Sequence, residues 1–311
     1  MVSQLSTDAR RLHSSPPGAD SRCPRSGTAR HRRSLSLNSE RGGGWHSCGV
    51  PSRRSARARR AAPGHSGLPG ADDAAVGWHV AGRACEHATA TLGDRLVSVY
   101  AIGSLTHGGF ASAVSDVDVA VLVDQCDESV AGIVGAIVDS TRQELGPGLA
   151  DRLSVFYGDW SSFGSPPPTA RLGAIDRLDI MDNGVLMRGV DRRAIDGVRP
   201  NREELVAETA EFLRYWLTQR RGVEDLIAAG PRVLTKHALF PVRFLYTHAT
   251  GRAGGNDDAV TWYRELGGPH AVLAMAALGW RSGDIDPVTA RHLLERHLDA
   301  LYAECCDVYG R

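Results

Sequence analysis

The sequence predicts an α+β domain, a small mixed sheet with flanking helices, followed by an all-helical bundle domain. Three observations carry this reading of the 311 residues. Short apolar runs rich in Val, Ile and Tyr punctuate residues 96–188, which is the pattern of buried strands. None follows Pro200; from there apolar residues recur at helical spacing instead. The first 70 residues show neither pattern.

Those first residues are rich in Arg, Ser, Gly and Pro. They hold 13 Arg against Asp8, Asp20 and Glu40, ten positive charges in excess, so in a chain of net charge zero the remainder is acidic by ten. Residues 1–71 are therefore expected to be a disordered basic tail. The leading expectation is that the tail lies upstream of the working protein. A nucleic-acid arm, built on Arg53, Arg54, Arg57, Arg59 and Arg60, and an Arg-rich transit peptide are the other two readings. The acidic body makes nucleic acid a poor partner for the folded part. Six Cys lack the spacing of a zinc or dithiol motif, no apolar run reaches the roughly 18–20 residues of a membrane span, and no secretory apolar segment opens the chain. A cytoplasmic protein with reduced thiols is expected.

Taken in order, Ala74–Leu92 is an Ala-rich helix stopped by Gly93. Leu96–Ile102 and Val117–Val123 are strands. Glu128–Leu145 is an amphipathic helix ended by Gly146-Pro147-Gly148, Arg152–Tyr157 alternates as a third strand, and Ala174–Met181 is a short helix before a short strand at Val185–Arg188. Beyond Pro200, helices are expected over Arg202–Arg220, Val233–Thr250, Asp257–Leu266, Ala271–Trp280 and Val288–Tyr309, the second of them kinked or broken at Pro241. The division is thus 72–199 for the sheet domain and 200–311 for the helical one.

The chemistry concentrates between the first two strands. Asp116 and Asp118 lie two apart at the opening of a strand, so both carboxylates share one face. Two acids that close call for a cation between them, and hard oxygen donors suit Mg²⁺, which also binds substrate phosphates. Gly103 permits a tight turn, and the Ser104 hydroxyl and a helical first turn there suit a phosphate.

Together, Gly103-Ser104, eleven residues, then Asp116-x-Asp118 resemble the signature of the polymerase-beta-like nucleotidyltransferase superfamily. The resemblance implies a two-Mg²⁺ site on Asp116 and Asp118, a triphosphate held by Gly103 and Ser104 with Ser115 assisting, and ATP or another nucleoside triphosphate as co-substrate. Further on, Arg243 with Tyr246, Thr247, Thr250-Gly251, Asp257 and Trp262 is similar to the helical domain of streptomycin/spectinomycin adenylyltransferases. On that resemblance Arg243 reaches the nucleotide phosphates, and Lys236, two turns earlier on the same face, assists. Tyr246 and Trp262 read as core. The implied reaction is Mg-dependent transfer of a nucleotide monophosphate, AMP from ATP, to a hydroxyl of a small acceptor, with an aminoglycoside as the acceptor class that an acidic body suits.

Two departures bear on this. Asn256 stands where the resemblance has Lys. Ser154, in Leu153-Ser154-Val155, stands where it has the Glu proposed as general base, and a serine is no base at neutral pH without its own activator. Asp151, Asp159 and His107 are the replacements considered, with Asp176 and Asp179 as further carboxylates that read first as capping or surface groups. The alternative readings are a nucleotide-binding or antitoxin-like regulatory module weakened by Ser154, and a nucleotidyltransferase that modifies a protein side chain.

Overall fold

Four strands form one sheet in the order β3-β2-β1-β4. In the computed structural model, which describes residues 71–309 apart from Arg220, they are β1 (Leu96–Ile102), β2 (Val117–Val123), β3 (Leu153–Asp159) and β4 (Val185–Gly189). The expectation for the basic tail lies outside the described residues. β1 runs antiparallel to β2 and β4, and β2 runs parallel to β3, so the sheet is mixed. The parallel pair needs a crossover, and helix α2 (Ser129–Leu145) supplies it.

Strand alternation divides the sheet into two faces. Val99, Val119, Val121 and Val155 pack beneath α2 and the first helix, α1 (Ala71–Leu92), through Val80, Ala84, Ala88, Val130, Val134 and Ile137. Tyr100, Ala120, Leu122 and Phe156 face the other way and meet Trp160, Phe163 and Ile180. Ile180 belongs to α3 (Ala174–Asn183). It is on this second face that the acids emerge.

The helical half comprises α4 (Arg202–Thr218), α5 (Val223–Ala228), α6 (Pro231–Thr250), α7 (Asn256–Glu265), α8 (Ala271–Gly279) and α9 (Pro287–Tyr309). Its core is aromatic and continuous, with Phe212, Trp216, Phe240, Phe244, Trp280 and Tyr302 buried together. Asn201 and Glu204 cap α4 reciprocally, at 3.0 and 2.8 Å. The same helix reaches the sheet half: the Glu208 carboxylate accepts the Ala174 N–H, capping α3.

Two expectations are corrected here. The third strand runs to Asp159 rather than stopping at Tyr157, because Gly158 and Asp159 stay in register with Leu122 and Val123. And α6 is not broken at Pro241, which is buried inside a helix assigned without interruption from Pro231 to Thr250. A proline deprives the carbonyl four residues back of its partner. That carbonyl is His237's, and the Tyr302 hydroxyl from α9 donates to it at 3.1 Å. The bundle therefore satisfies the group that proline orphans. The short α5 had no counterpart in the sequence reading, since six residues are too few to show a period.

Candidate active site

The site begins where β1 ends. Gly103 takes φ +72°, a left-handed conformation that glycine adopts without a steric penalty. A single 3-10 turn, Gly103–Leu105, follows, with the Thr106 and His107 N–H groups both returning to the Gly103 carbonyl at 3.1 Å. Ile102 pairs with Asp118 across the sheet, so the turn lies directly over that acid. A Cβ on Gly103 would fall 2.6 Å from Asp118 Oδ2. Glycine is required both for the angle and for the close approach.

Both acids are buried, Asp116 at 3 % exposure and Asp118 at 8 %. Asp116 survives as a carboxylate through its partners. Arg232 donates to Oδ1 from Nη2 at 2.7 Å and from Nε at 3.1 Å, and Lys236 Nζ meets Oδ2 at 3.2 Å. Burial alone would raise its pKa; the charges of Lys236 and Arg232 outweigh this and hold it below the usual value. Asp118 behaves oppositely. Burial first, and then the neighbouring Asp116 charge, push its pKa up. A pair with one acid held ionised and the other reluctant to ionise would accept a divalent cation. Among the described residues no cluster of three or more His, Cys, Asp or Glu forms a metal site. Mg²⁺ does not demand one, since one or two carboxylates, waters and substrate phosphates complete its shell. The two-carboxylate donor set fits it.

Helix α3 brings two more carboxylates to the cleft. Asp179 accepts from Gly103 N at 2.7 Å, from Asn183 Nδ2 at 2.8 Å, and pairs with His107 Nε2 at 2.7 Å. It is a buried brace for the turn rather than a surface group. The Gly103 N–H is thus committed to Asp179, and His107, one of the replacements considered for the base, has its Nε2 engaged there. Asp176 partly fits its capping role, accepting the Gly173 N–H at 3.2 Å. It is nonetheless buried, lines the same cleft, and has its pKa pushed up to about 7 by burial, with the Glu208 and Asp118 charges adding to the rise.

The third strand explains the missing acid. Ser154 pairs in register with Asp118, on the same face of the adjacent strand. It is 1 % exposed, and its hydroxyl has no hydrogen-bond partner among the described residues. The other two replacements lie elsewhere. Asp151 is exposed and accepts from Gly148 N at 3.0 Å within its own turn. Asp159 ends β3, in register with Val123 and five residues along from Asp118's level. There its carboxylate accepts from Cys126 N at 3.0 Å and Ser162 N at 2.7 Å, binding a loop at the far end of the sheet.

The helical half forms the opposite wall. The cleft, of about 1010 Å³ with its open mouth included, is lined on the sheet side by Gly103, Ser104, His107, Asp116, Asp118 and Asp176, and across from them by Lys236, Phe240, Arg243 and Arg281. Arg243 makes no hydrogen bond or ion pair among the described residues, although Asp179 and Asp118 lie within its field and burial lowers its pKa. A part-buried guanidinium aimed into a cleft without an acceptor is a ready anion site. Arg281 is already committed, donating to the Gly109 carbonyl and, at 3.2 Å, to Ser115 Oγ. Ser115 also accepts from Ala111 N at 3.0 Å. It ties the loop before β2 to the helical half and also lines the cleft. Asn256 lines the cleft at the start of α7, while Tyr246 and Trp262 meet edge-on, 5.8 Å between centroids, against the helical core.

Arg232 was missed in the sequence. The signal was available: it stands four residues before Lys236, hence on the same helix face, once Pro231 is read as the first helical residue.

The architecture is thus a four-stranded mixed sheet with flanking helices, a Gly-Ser turn over paired acids and a helical second half. Among solved structures, the fold is similar to that of a spectinomycin adenyltransferase, AAD(9), from Enterococcus faecialis, determined with ATP and spectinomycin. The TM-score is 0.52 at 12% sequence identity, over 75% of this chain and 99% of that one. No family model matches the sequence, and no curated protein matches it.

Proposed function

We propose that the chain is a nucleotidyltransferase that moves a nucleotide monophosphate, AMP from ATP, to a hydroxyl of a small acceptor bound between a sheet lobe, 72–199, and a helical lobe, 200–311. One observation carries the reading: two buried, same-face carboxylates confront Lys236 and an unpartnered Arg243 across a single cleft. A metal-triphosphate complex presents the matching charges, cation toward the acids and phosphates toward the basic wall.

Asp116 and Asp118 would hold the Mg²⁺, which supplies charge neutralisation and lowers the pKa of a bound hydroxyl. The chain's own residues do the rest. The Ser104 hydroxyl and Arg243 orient the phosphates. Asp179 and His107 keep the turn rigid, and Phe240 excludes water from the reacting centre. Asp176 is the carboxylate placed to take the acceptor's proton in the absence of an acid at Ser154. Support for ATP and an aminoglycoside acceptor comes from the AAD(9) structure, which contains ATP and spectinomycin.

Acceptor-dependent pyrophosphate release tests this. Purified protein, ATP and Mg²⁺ are incubated with a panel of aminoglycosides, alongside Asp116→Ala. Release that requires both the acid and an acceptor is expected. The unpartnered Ser154 favours a second reading, a nucleotide-binding regulatory module; ATP binding with no release against any acceptor would select it.

A further inference from the structure

Asp116 is unusual among the cleft acids because both of its oxygens are taken by cations, and both cations come from the opposite lobe. Arg232 spends Nε and Nη2 on Oδ1, at 3.1 and 2.7 Å, and Lys236 spends Nζ on Oδ2, at 3.2 Å. The side chain of Asp116 is 1% exposed and that of Lys236 15%. Neither can exchange its partner for bulk water without moving. A divalent cation at the same carboxylate would stand beside two positive charges, which disfavours it. Once drawn off Asp116, the Lys236 charge needs an anion inside a low-dielectric cleft, whereas Arg232, with its side chain 35% exposed, keeps water as an alternative. Of the neighbouring carboxylates, Asp179 is held by His107, Gly103 and Asn183, Asp257 lies beside Arg281, 3.9 Å away, and the Asp118 charge already acts on Lys236. Arg243, seven residues beyond Lys236 and also lining the cleft, marks where an anion would lie.

We propose that Arg232 and Lys236 form an exchange clasp, trading Asp116 for the oxygens of an incoming triphosphate, so that the cleft takes up divalent cation and triphosphate together and neither well alone. This rests on the reading of the cleft as a nucleotide site. It adds Arg232 as a triphosphate-binding residue and predicts that metal and nucleotide binding are thermodynamically linked. Linkage is reciprocal, so each ligand strengthens the other by the same factor. Loss of the bidentate Arg232 contact should strengthen the metal alone while weakening the triphosphate, a pair of opposite effects that a merely structural arginine would not produce.

The test uses the full chain, Mn²⁺ as the metal probe, read as free ion by electron paramagnetic resonance, and α,β-methylene ATP as a non-reacting triphosphate. Wild type should bind Mn²⁺ about tenfold more tightly when saturated with the analogue, after allowance for the metal–analogue complex in solution, which lies in the range usual for coupled sites. Arg232→Gln should bind Mn²⁺ alone roughly tenfold more tightly than wild type and show little coupling. Lys236→Gln should move in the same directions, and circular dichroism establishes that both variants are folded. Arg243→Gln, which removes a cleft charge that does not touch Asp116, should weaken the analogue and change the binding of Mn²⁺ alone much less than the two clasp variants do. Arg232→Gln and Lys236→Gln proteins that bind Mn²⁺ no more tightly than wild type overturn the clasp while leaving the nucleotide site intact. Failure of wild type to bind the analogue at any Mn²⁺ concentration overturns both.

Discussion

Gly103→Ala is the substitution whose cost the structure fixes most narrowly. At φ +72° an L-residue pays a backbone penalty of about 1–2 kcal/mol. The new methyl would also fall 2.6 Å from Asp118 Oδ2 and 3.3 Å from its Cβ and Cγ, so Asp118 must leave its rotamer. That adds about 0.5–1.5 kcal/mol. The total is about 1.5–3.5 kcal/mol, of which the second part acts on Asp118. Gly108 supplies the control. Its φ is +80°, yet a Cβ there meets nothing within 4 Å. Gly108→Ala should therefore lose only the backbone part. Urea denaturation of both variants measures the difference in stability, and Mn²⁺ titration measures its consequence. Gly103→Ala should be the less stable of the two and should bind Mn²⁺ more weakly, whereas Gly108→Ala should retain wild-type metal affinity. Equal stability and equal metal affinity in the two variants would refute the close approach of turn and acid.

Other expectations follow from the same geometry. Tyr302→Phe removes the donor to the His237 carbonyl that Pro241 leaves unpaired and also the acceptor of the Trp216 indole N–H, and should cost at least about 1–3 kcal/mol in urea unfolding; a loss within experimental error would contradict that account of the unbroken helix. Asp176 has its pKa raised from 3.8 to about 7, so the folded chain keeps a proton that the unfolded chain gives up. Its contribution to stability is full below the unfolded value and disappears as pH rises through the folded one. The Asp176 share of stability should thus decline between pH 3.8 and about 7, and Asp176→Asn should remove that share from the pH profile of urea unfolding; an unchanged profile would contradict the raised value. Ser154→Ala deletes a buried hydroxyl without a partner, so stability should hold or rise by up to about 1 kcal/mol with activity unchanged, whereas lost activity would restore a catalytic part to the serine.

The first two strands were legible to the residue. Leu96–Ile102 and Val117–Val123 are apolar runs ended by Gly103 and opened beside Asp116, and burial is almost complete along both. The third strand was read short because Gly158 and Asp159 are poor strand formers, and only their register with β2 extends it. Pro241 misled in the way local rules do: the penalty is real, but the compensating hydroxyl lies 65 residues away. The same separation in sequence hid the brace of His107 on Asp179, 72 residues apart, and the contact of Arg232 with Asp116, 116 residues apart. The acids and the turn could be read because their spacing is local. What each of them is bonded to could not, because tertiary packing chooses the partner. Ser154 lies between the two cases. Its failure as a base was plain from residue type, and the structure adds that it faces Asp118 with nothing to bond.

On the function proposed above, the cleft cleaves a nucleoside triphosphate between the α and β phosphates and gives the nucleotide to an acceptor hydroxyl. Two parallel incubations test it most directly, one with ATP radiolabelled at the α-phosphate and one with label at the γ-phosphate, each with Mg²⁺ and the acceptor panel. Label from the α position should appear in an acceptor, disappear in Asp118→Asn, and never arrive from the γ position. Transfer of γ label, or transfer of α label that persists in Asp118→Asn, would contradict it.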